Sequence, residues 1–174
     1  MEARENRDVA TWDMPNAFIQ TAVEELDGDG DRIVMKIRGA MAEMLLELDP
    51  AYEECVTVEK GQRILYVHIL RAIYGMLMSG LLHHKKFRSA IEGIGYKVNA
   101  HDPCVATRMI NGEQHTISWH VDDLTASHVD SKVNDEFRKW LQKNFGQIAE
   151  VTGTRGKKHV CLGMTLEHNP CQDK

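Results

Sequence analysis

Two aspartates stand side by side at Asp122 and Asp123, directly after an apolar β-type run ending in Trp119-His120-Val121. A third, Asp13, closes a run of similar character near the start, DVATWD. Adjacent carboxylates repel one another, and a tight turn by itself asks for Asn-Gly rather than Asp-Asp. A cation nearby removes that penalty. Three carboxylates at the ends of neighbouring strands could hold two Mg²⁺ ions, or Mn²⁺ in their place, roughly 3.5–4 Å apart, the arrangement that clamps the attacking and leaving oxygens in phosphoryl transfer. Turn chemistry alone favours the plainer reading, a solvated acidic turn, because Asp is a common turn residue.

Other chemistry-bearing groups are weaker candidates. Asp27-Gly28-Asp29-Gly30-Asp31 copies the start of a calcium-binding EF-hand loop, but Arg32 occupies its glycine position and Arg38 its bidentate glutamate. A simple turn is the better reading. His83 and His84 are adjacent on a helical stretch and so point in different directions, which rules them out as a metal pair. Cys55, Cys104, Cys161 and Cys171 form no C-x-x-C pair, so neither a zinc knuckle nor a redox motif is written here, and reduced structural thiols are expected.

The elements that must position these groups are legible in the patterning. Asp8–Met14 reads as a strand closed by Pro15, and Asn16–Leu26 has near-helical apolar spacing. Arg32–Ile37 and Arg63–Ile69 read as strands, the latter after the turn at Lys60-Gly61-Gln62, and Gly39–Asp49 as a short amphipathic helix stopped by Pro50. Ser79–Gly93 is the longest helical candidate, with Leu81, Leu82, Phe87, Ala90, Ile91 and Ile94 inward. Cys104–Ile110 and Gln114–Trp119 form a hairpin through Asn111-Gly112, and Leu124–Ala126 continues it, leaving the Asp pair in the next tight turn. Ser131–Asn144 is an amphipathic helix with Val133, Phe137, Trp140 and Leu141 inward, and His159–Leu166 a closing strand. The order βα(ββ)αβ(β)αβ implies an α+β fold, with helices on one face of a mostly antiparallel sheet.

At 174 residues, 43% apolar and 27% charged, the chain suits one globular domain spanning 1–174, and no repeat or linker suggests a second. No stretch approaches the ~18 apolar residues of a membrane helix, and MEARENRD is too charged for a secretory segment. An intracellular protein with no membrane partner is expected; the sequence does not fix its oligomeric state. The formal charge of −5 is unusual for a protein that grips nucleic acid by its phosphates, so basic groups serving that purpose must be local.

In order, DMPNAF (13–18), RIVMKIRG (32–39), YVHILRAIYGMLMSG (66–80), FRSAIEGIGYKVNAHDPCVA (87–106), ISWHVDDLTASH (117–128) and HVCLGMTLEH (159–168) resemble successive blocks of the reverse transcriptase of copia-type retrotransposons. The resemblance covers nearly the whole chain, and its specificity lies in the order and spacing of the blocks. It implies an RNA-directed DNA polymerase domain with a ferredoxin-like palm. Its partners would be an RNA or DNA template with a DNA primer, and deoxynucleoside triphosphates. Asp13, Asp122 and Asp123 match the metal-binding catalytic triad. Phe18 matches the aromatic steric gate against a ribose 2′-hydroxyl; without the resemblance it reads equally as a core aromatic. Met14 offers a hard cation only its backbone carbonyl.

The chain departs from the family pattern at several points. His120 stands where tyrosine is commoner, beside the expected primer end. Met78 replaces a glutamine expected to help place nucleotide and template, and a thioether cannot make an amide's hydrogen bonds. Leu81, Leu82, His83 and His84 replace part of a Lys- and aromatic-containing stretch. Only twelve residues precede Asp13, with Arg4 and Arg7 as their basic members, and the chain ends soon after the L-G-M block. Fingers and thumb are therefore expected to be largely missing. The retained Asp13, Asp122, Asp123 and Phe18 favour a working polymerase palm. Met78, the missing parts and the acidic balance favour a catalytically silent, element-derived module that binds nucleic acid or protein.

Overall fold

Alternation along Asp8–Asp13 makes this run a strand, β1: Ala10 and Trp12 turn to one face and are buried, while Asp13 at its end reaches solvent. The computed structural model describes residues 5–23, 32–161 and 163–167. The chain continues through β2 (Val34–Arg38), α1 (Ala40–Leu48), a 3₁₀ helix (Pro50–Cys55), β3 (Val56–Glu59) and β4 (Gln62–His68). Then come α2 (Ser79–Gly93), β5 (Lys97–Val98), β6 (Val105–Ile110), β7 (Glu113–His120), β8 (Asp123–His128) and α3 (Ser131–Phe145). Three short strands close it: β9 (Thr152–Arg155), β10 (Lys158–Cys161) and β11 (Met164–Glu167).

The result is a mixed α/β architecture built on antiparallel sheets. The principal sheet has the order β5-β6-β7-β8-β1-β9, every pairing antiparallel, so β1 lies between the β7–β8 hairpin and a strand from the far end of the chain. β2-β4-β3 form a second sheet and β10-β11 a separate hairpin. One face of the principal sheet supplies Ala10, Trp12, Ala106, Ile117, Trp119, Leu124 and Ala126 to the main core. Phe87 and Ile91 of α2 and Phe137, Leu141 and Phe145 of α3 close onto it. Both long helices thus share one face, as the patterning implied.

The sequence and the structure part at several places. Asn16–Leu26 does not form a helix over its described part, to residue 23: Asn16 takes φ +57°, which a right-handed helix does not allow. Instead, residues 21–23 pair with the segment before α2, Ala72 donating to Thr21 and Val23 to Leu70. The expected closing strand His159–Leu166 is a hairpin, turned at Gly163 with φ +72°. β3 and β9 carry too few alternating residues to stand out in isolation and exist through their partners, β4 and β1. On α2, Leu81 is exposed and His83 is buried, because the arc facing the sheet runs through Leu82, His83, Phe87 and Ile91. The acidic run Asp27–Asp31, Arg4 and Cys171 lie outside the described residues. Cys55 is an exposed thiol rather than a core one, and Cys104 is half-buried.

Under α3 sits a buried polar chain. Tyr96 Oη bonds His115 Nδ1, His115 Nε2 bonds Asn134 Oδ1, and Asn134 Nδ2 donates to the backbone and carboxylate oxygens of Asp8. Since Nε2 meets a carbonyl oxygen it carries the proton, leaving Nδ1 to accept from the tyrosine. Desolvation lowers the His115 pKa to about 4, and Tyr96 is held protonated well above its usual value, chiefly by burial. Arg7 is likewise an internal group. It pairs with Glu5 and donates to Gln114 O, which removes it from the basic residues available to a nucleic acid.

Candidate functional site

The antiparallel register of β1 and β8 sets Asp13 directly opposite Asp123, and that of β7 and β8 sets His120 opposite Asp123. Side chains paired this way lie about 4.5–5.5 Å apart at Cβ, and like charges there are destabilising. The turn between β7 and β8 is Val121-Asp122, so of the two aspartates expected in it only Asp122 lies there and Asp123 opens β8. Met14, just past the end of β1, donates its backbone N–H to Asp122 O at 3.0 Å, which fastens the turn to the first strand. The Met14 side chain is fully buried in the main core, so the carboxylates hang from a rigid edge.

Asp13 feels this crowding. Its pKa is raised, first by loss of hydration and then by the charges of Asp122 and Asp123. The Asp122 carboxylate meets Tyr74 Oη at 3.5 Å, a long contact, and burial followed by the charge of Asp122 raises the tyrosine's pKa as well. Asp13 and Asp123 line a groove of about 370 Å³ with Thr152, Gly153, Thr154, Lys158 and Val160. Gly153 is required there: a Cβ would run into Thr11 O and Trp12 Cδ1, so only glycine lets β9 lie this close to β1. Lys158 brings a cation to the groove and also pairs with Glu167 at 3.5 Å.

The turn itself is strained and buttressed. Val121 has φ +56°, and it is the one β-branched residue in the left-handed region among the described residues. Buried His83 on α2 donates from Nε2 to Val121 O at 3.1 Å. Desolvation lowers the His83 pKa, which favours the neutral ring, and the bond to the Val121 carbonyl places that ring's proton on Nε2. Phe18 is half-buried and tilted against Tyr74 at 4.7 Å between ring centroids, with His83 at 6.2 Å. It belongs with Met78 to a small core around Val23, Ala72 and Leu82. His120 is exposed at the end of β7.

The fold therefore brings Asp13 and Asp123 onto one groove, sets Asp122 close enough to repel Asp13 while its carboxylate also meets Tyr74, and links Phe18 to that tyrosine. Met78 packs away into the small core. As donors, the carboxylates suit a hard cation, and their mutual repulsion is what such an ion relieves. Among the described residues, however, no three His, Cys, Asp or Glu side chains close into a group that could hold a metal ion as they stand. Sequence reasoning missed four neighbours of the site. Tyr74 lies within a recognised block without a role of its own. His83 is visible only as the histidine on the apolar arc of α2, and Gly153 and Lys158 belong to strands that local patterning did not resolve.

No protein-family model and no curated protein matches this chain. Among solved structures it is similar to apo telomerase from Candida tropicalis, at 12% identity and a TM-score of 0.43, over 92% of this chain and 31% of that one. It is similar to the same degree, 12% and 0.43, to telomerase from Candida albicans in complex with a TWJ fragment of telomeric RNA, over 94% of this chain and 30% of the other. The chain thus spans about a third of the length of these telomerases. Likeness at that distance carries no argument about function, which rests on the site.

Proposed function

We propose that this chain is the palm of a reverse transcriptase, an RNA-directed DNA polymerase of copia-type retrotransposon descent. Its active-site residues would be Asp13, Asp122 and Asp123. The observation that carries the reading is the Asp13–Asp123 cross-strand pair, with a third carboxylate in the adjoining turn and, among the described residues, no ion pair to any of the three. A purely structural edge has no use for three carboxylates whose charges oppose one another. The resemblance in block order supplies the polymerase assignment and the ferredoxin-like palm.

Asp13 and Asp123 would hold Mg²⁺ or Mn²⁺, joined by Asp122 once its carboxylate leaves Tyr74. Bound divalent cations would supply the Lewis acidity that activates a primer 3′-hydroxyl and neutralises charge on the leaving pyrophosphate. The protein's part is to position. The Met14–Asp122 backbone bond and the His83–Val121 bond fix the turn that carries the carboxylates, and the Gly153 crossing fixes the wall of the groove. Phe18, braced by Tyr74, stands one ring contact and one hydrogen bond from Asp122, where a bulky ring would oppose a ribose 2′-hydroxyl. Lys158 offers a counter-charge for phosphate at the groove.

A second reading, a catalytically silent module that binds nucleic acid or protein, is favoured by Asp122 being turned to Tyr74 and by Met78 being packed in a core. Extension of a DNA primer on an RNA template with Mg²⁺ or Mn²⁺ separates the two. Product from the native chain and none from Asp122→Asn supports the polymerase. No extension, even from a version carrying added upstream coding sequence, leaves the binding module.

A further inference from the structure

We propose that a groove between α3 and the end of β6, remote from the carboxylates, is a binding site for a small planar aromatic anion. Asp122 lies at the β7–β8 turn, whereas this groove borders the opposite end of β7, at the Asn111-Gly112 turn, and encloses about 410 Å³. That volume accommodates one or two fused rings. Its walls are the rings of Tyr96, Phe137 and Trp140 with the aliphatic side chains of Ile94 and Ile110. Phe137 and Trp140 already stack on one another at 5.5 Å, with their planes 15° apart, presenting a flat aromatic surface.

The polar groups at the groove give it a sign. β6 turns Arg108 to the same face as buried Ala106, and its side chain runs beside Gly95, whose φ of +91° reverses the chain after α2. The guanidinium lies 6.0 Å over the Tyr96 ring. Neither Arg108 nor Lys132, which also lines the groove, forms an ion pair among the described residues. Two acids line the groove beside them. Glu136 pairs with Lys139 at 2.6 Å, and Asp130 caps α3 by accepting from the Lys132 backbone N–H at 2.9 Å. An aromatic slot edged by two cations that have no ion-pair partner among the described residues is complementary to a flat ring carrying one carboxylate, sulfonate or phosphate: the ring fills the slot and the anion meets Arg108 and Lys132.

Isothermal titration of the full chain with naphthalene-2-sulfonate tests this, beside the neutral naphthalene-2-methanol. We expect saturable 1:1 binding of the sulfonate, at least tenfold tighter than the alcohol. The double variant Arg108→Gln/Lys132→Gln, which changes only exposed side chains, should weaken the sulfonate at least tenfold and leave the alcohol unchanged. Ile110→Trp should fill the slot and abolish both. The proposal is overturned if the native chain shows no saturable binding, if the alcohol binds as tightly as the sulfonate, which would make the slot merely apolar, or if the double variant binds the sulfonate unchanged.

Discussion

The His83 ring donates from Nε2 to the carbonyl of Val121 at 3.1 Å, and Val121 is held at φ +56°, a conformation its branched side chain disfavours. The buried imidazole on α2 thereby restrains the turn that leads into Asp122 and Asp123. Strain of this kind costs on the order of 1–2 kcal/mol and persists only when the surroundings enforce it.

Two substitutions test that restraint from opposite sides. Val121→Gly should raise stability by roughly 1 kcal/mol, because relief of left-handed strain exceeds the added chain entropy. His83→Leu should lower it by about 1–3 kcal/mol, since the Val121 carbonyl loses its donor. Urea unfolding measures both, and a Val121→Gly protein less stable than the native one would show that the turn is not under strain.

Asp13 is a liability to the metal-free fold. Its carboxyl pKa is raised in the folded state, so folding favours the protonated form, and stability is lost as pH rises through the ordinary aspartate range to the raised value. The cost persists at neutral pH. Asp13→Asn should therefore raise the melting temperature at pH 7 without divalent ions, while abolishing the stabilisation that Mn²⁺ or Mg²⁺ gives the native chain. Melting curves with and without metal decide it: equal metal-induced shifts in the two proteins would detach Asp13 from cation binding.

Tyr74 meets the Asp122 carboxylate while that carboxylate also repels Asp13. Removing the hydroxyl in Tyr74→Phe keeps the ring contact with Phe18 and frees the carboxylate, so Mn²⁺ affinity should rise severalfold. Titration of Mn²⁺ followed by its electron paramagnetic resonance signal reads this directly. Unchanged or weaker affinity would mean that the tyrosine does not compete with the ion.

His115 makes the fold acid-sensitive. Its folded pKa of about 4 lies below the unfolded value near 6.5, so the unfolded chain binds the extra proton first. Stability should fall as pH drops from about 6.5 towards 4, by up to roughly 3 kcal/mol from this group alone at 1.36 kcal/mol per pKa unit. Guanidinium unfolding across that range, compared with His115→Gln, isolates the contribution. The variant should show a flatter profile, and parallel profiles would assign the acid loss to other groups.

Phe18 is the test of substrate choice. In a chain active in primer extension, Phe18→Ala should relax discrimination against ribonucleotides, at a stability cost of about 2 kcal/mol for a half-buried aromatic. Discrimination that survives the substitution would reduce Phe18 to a packing residue.

Much of the frame was legible in the chain itself. The bounds of α2 match the expected Ser79–Gly93, and α3 runs one residue beyond its expected end. The Asn111-Gly112 hairpin appears with both residues at positive φ, as the short turn requires. These features depend on local periodicity and turn chemistry, which each segment carries with it. Three aspartates at strand ends were legible for the same reason.

Tertiary structure decided how those carboxylates meet. The pairing of Asp13 with Asp123 is a register between strands 110 positions apart in sequence, and a shift of one residue would have sent one of them to the helix-covered face. It also decided that Asp122 turns to Tyr74, that His83 enters the core, and that residues 16–23 abandon a helical pattern to pair with the strand-like segment before α2. Each outcome depends on a partner contributed from elsewhere in the chain, and a hydrophobic pattern records only that a side chain is buried, not which neighbour buries it.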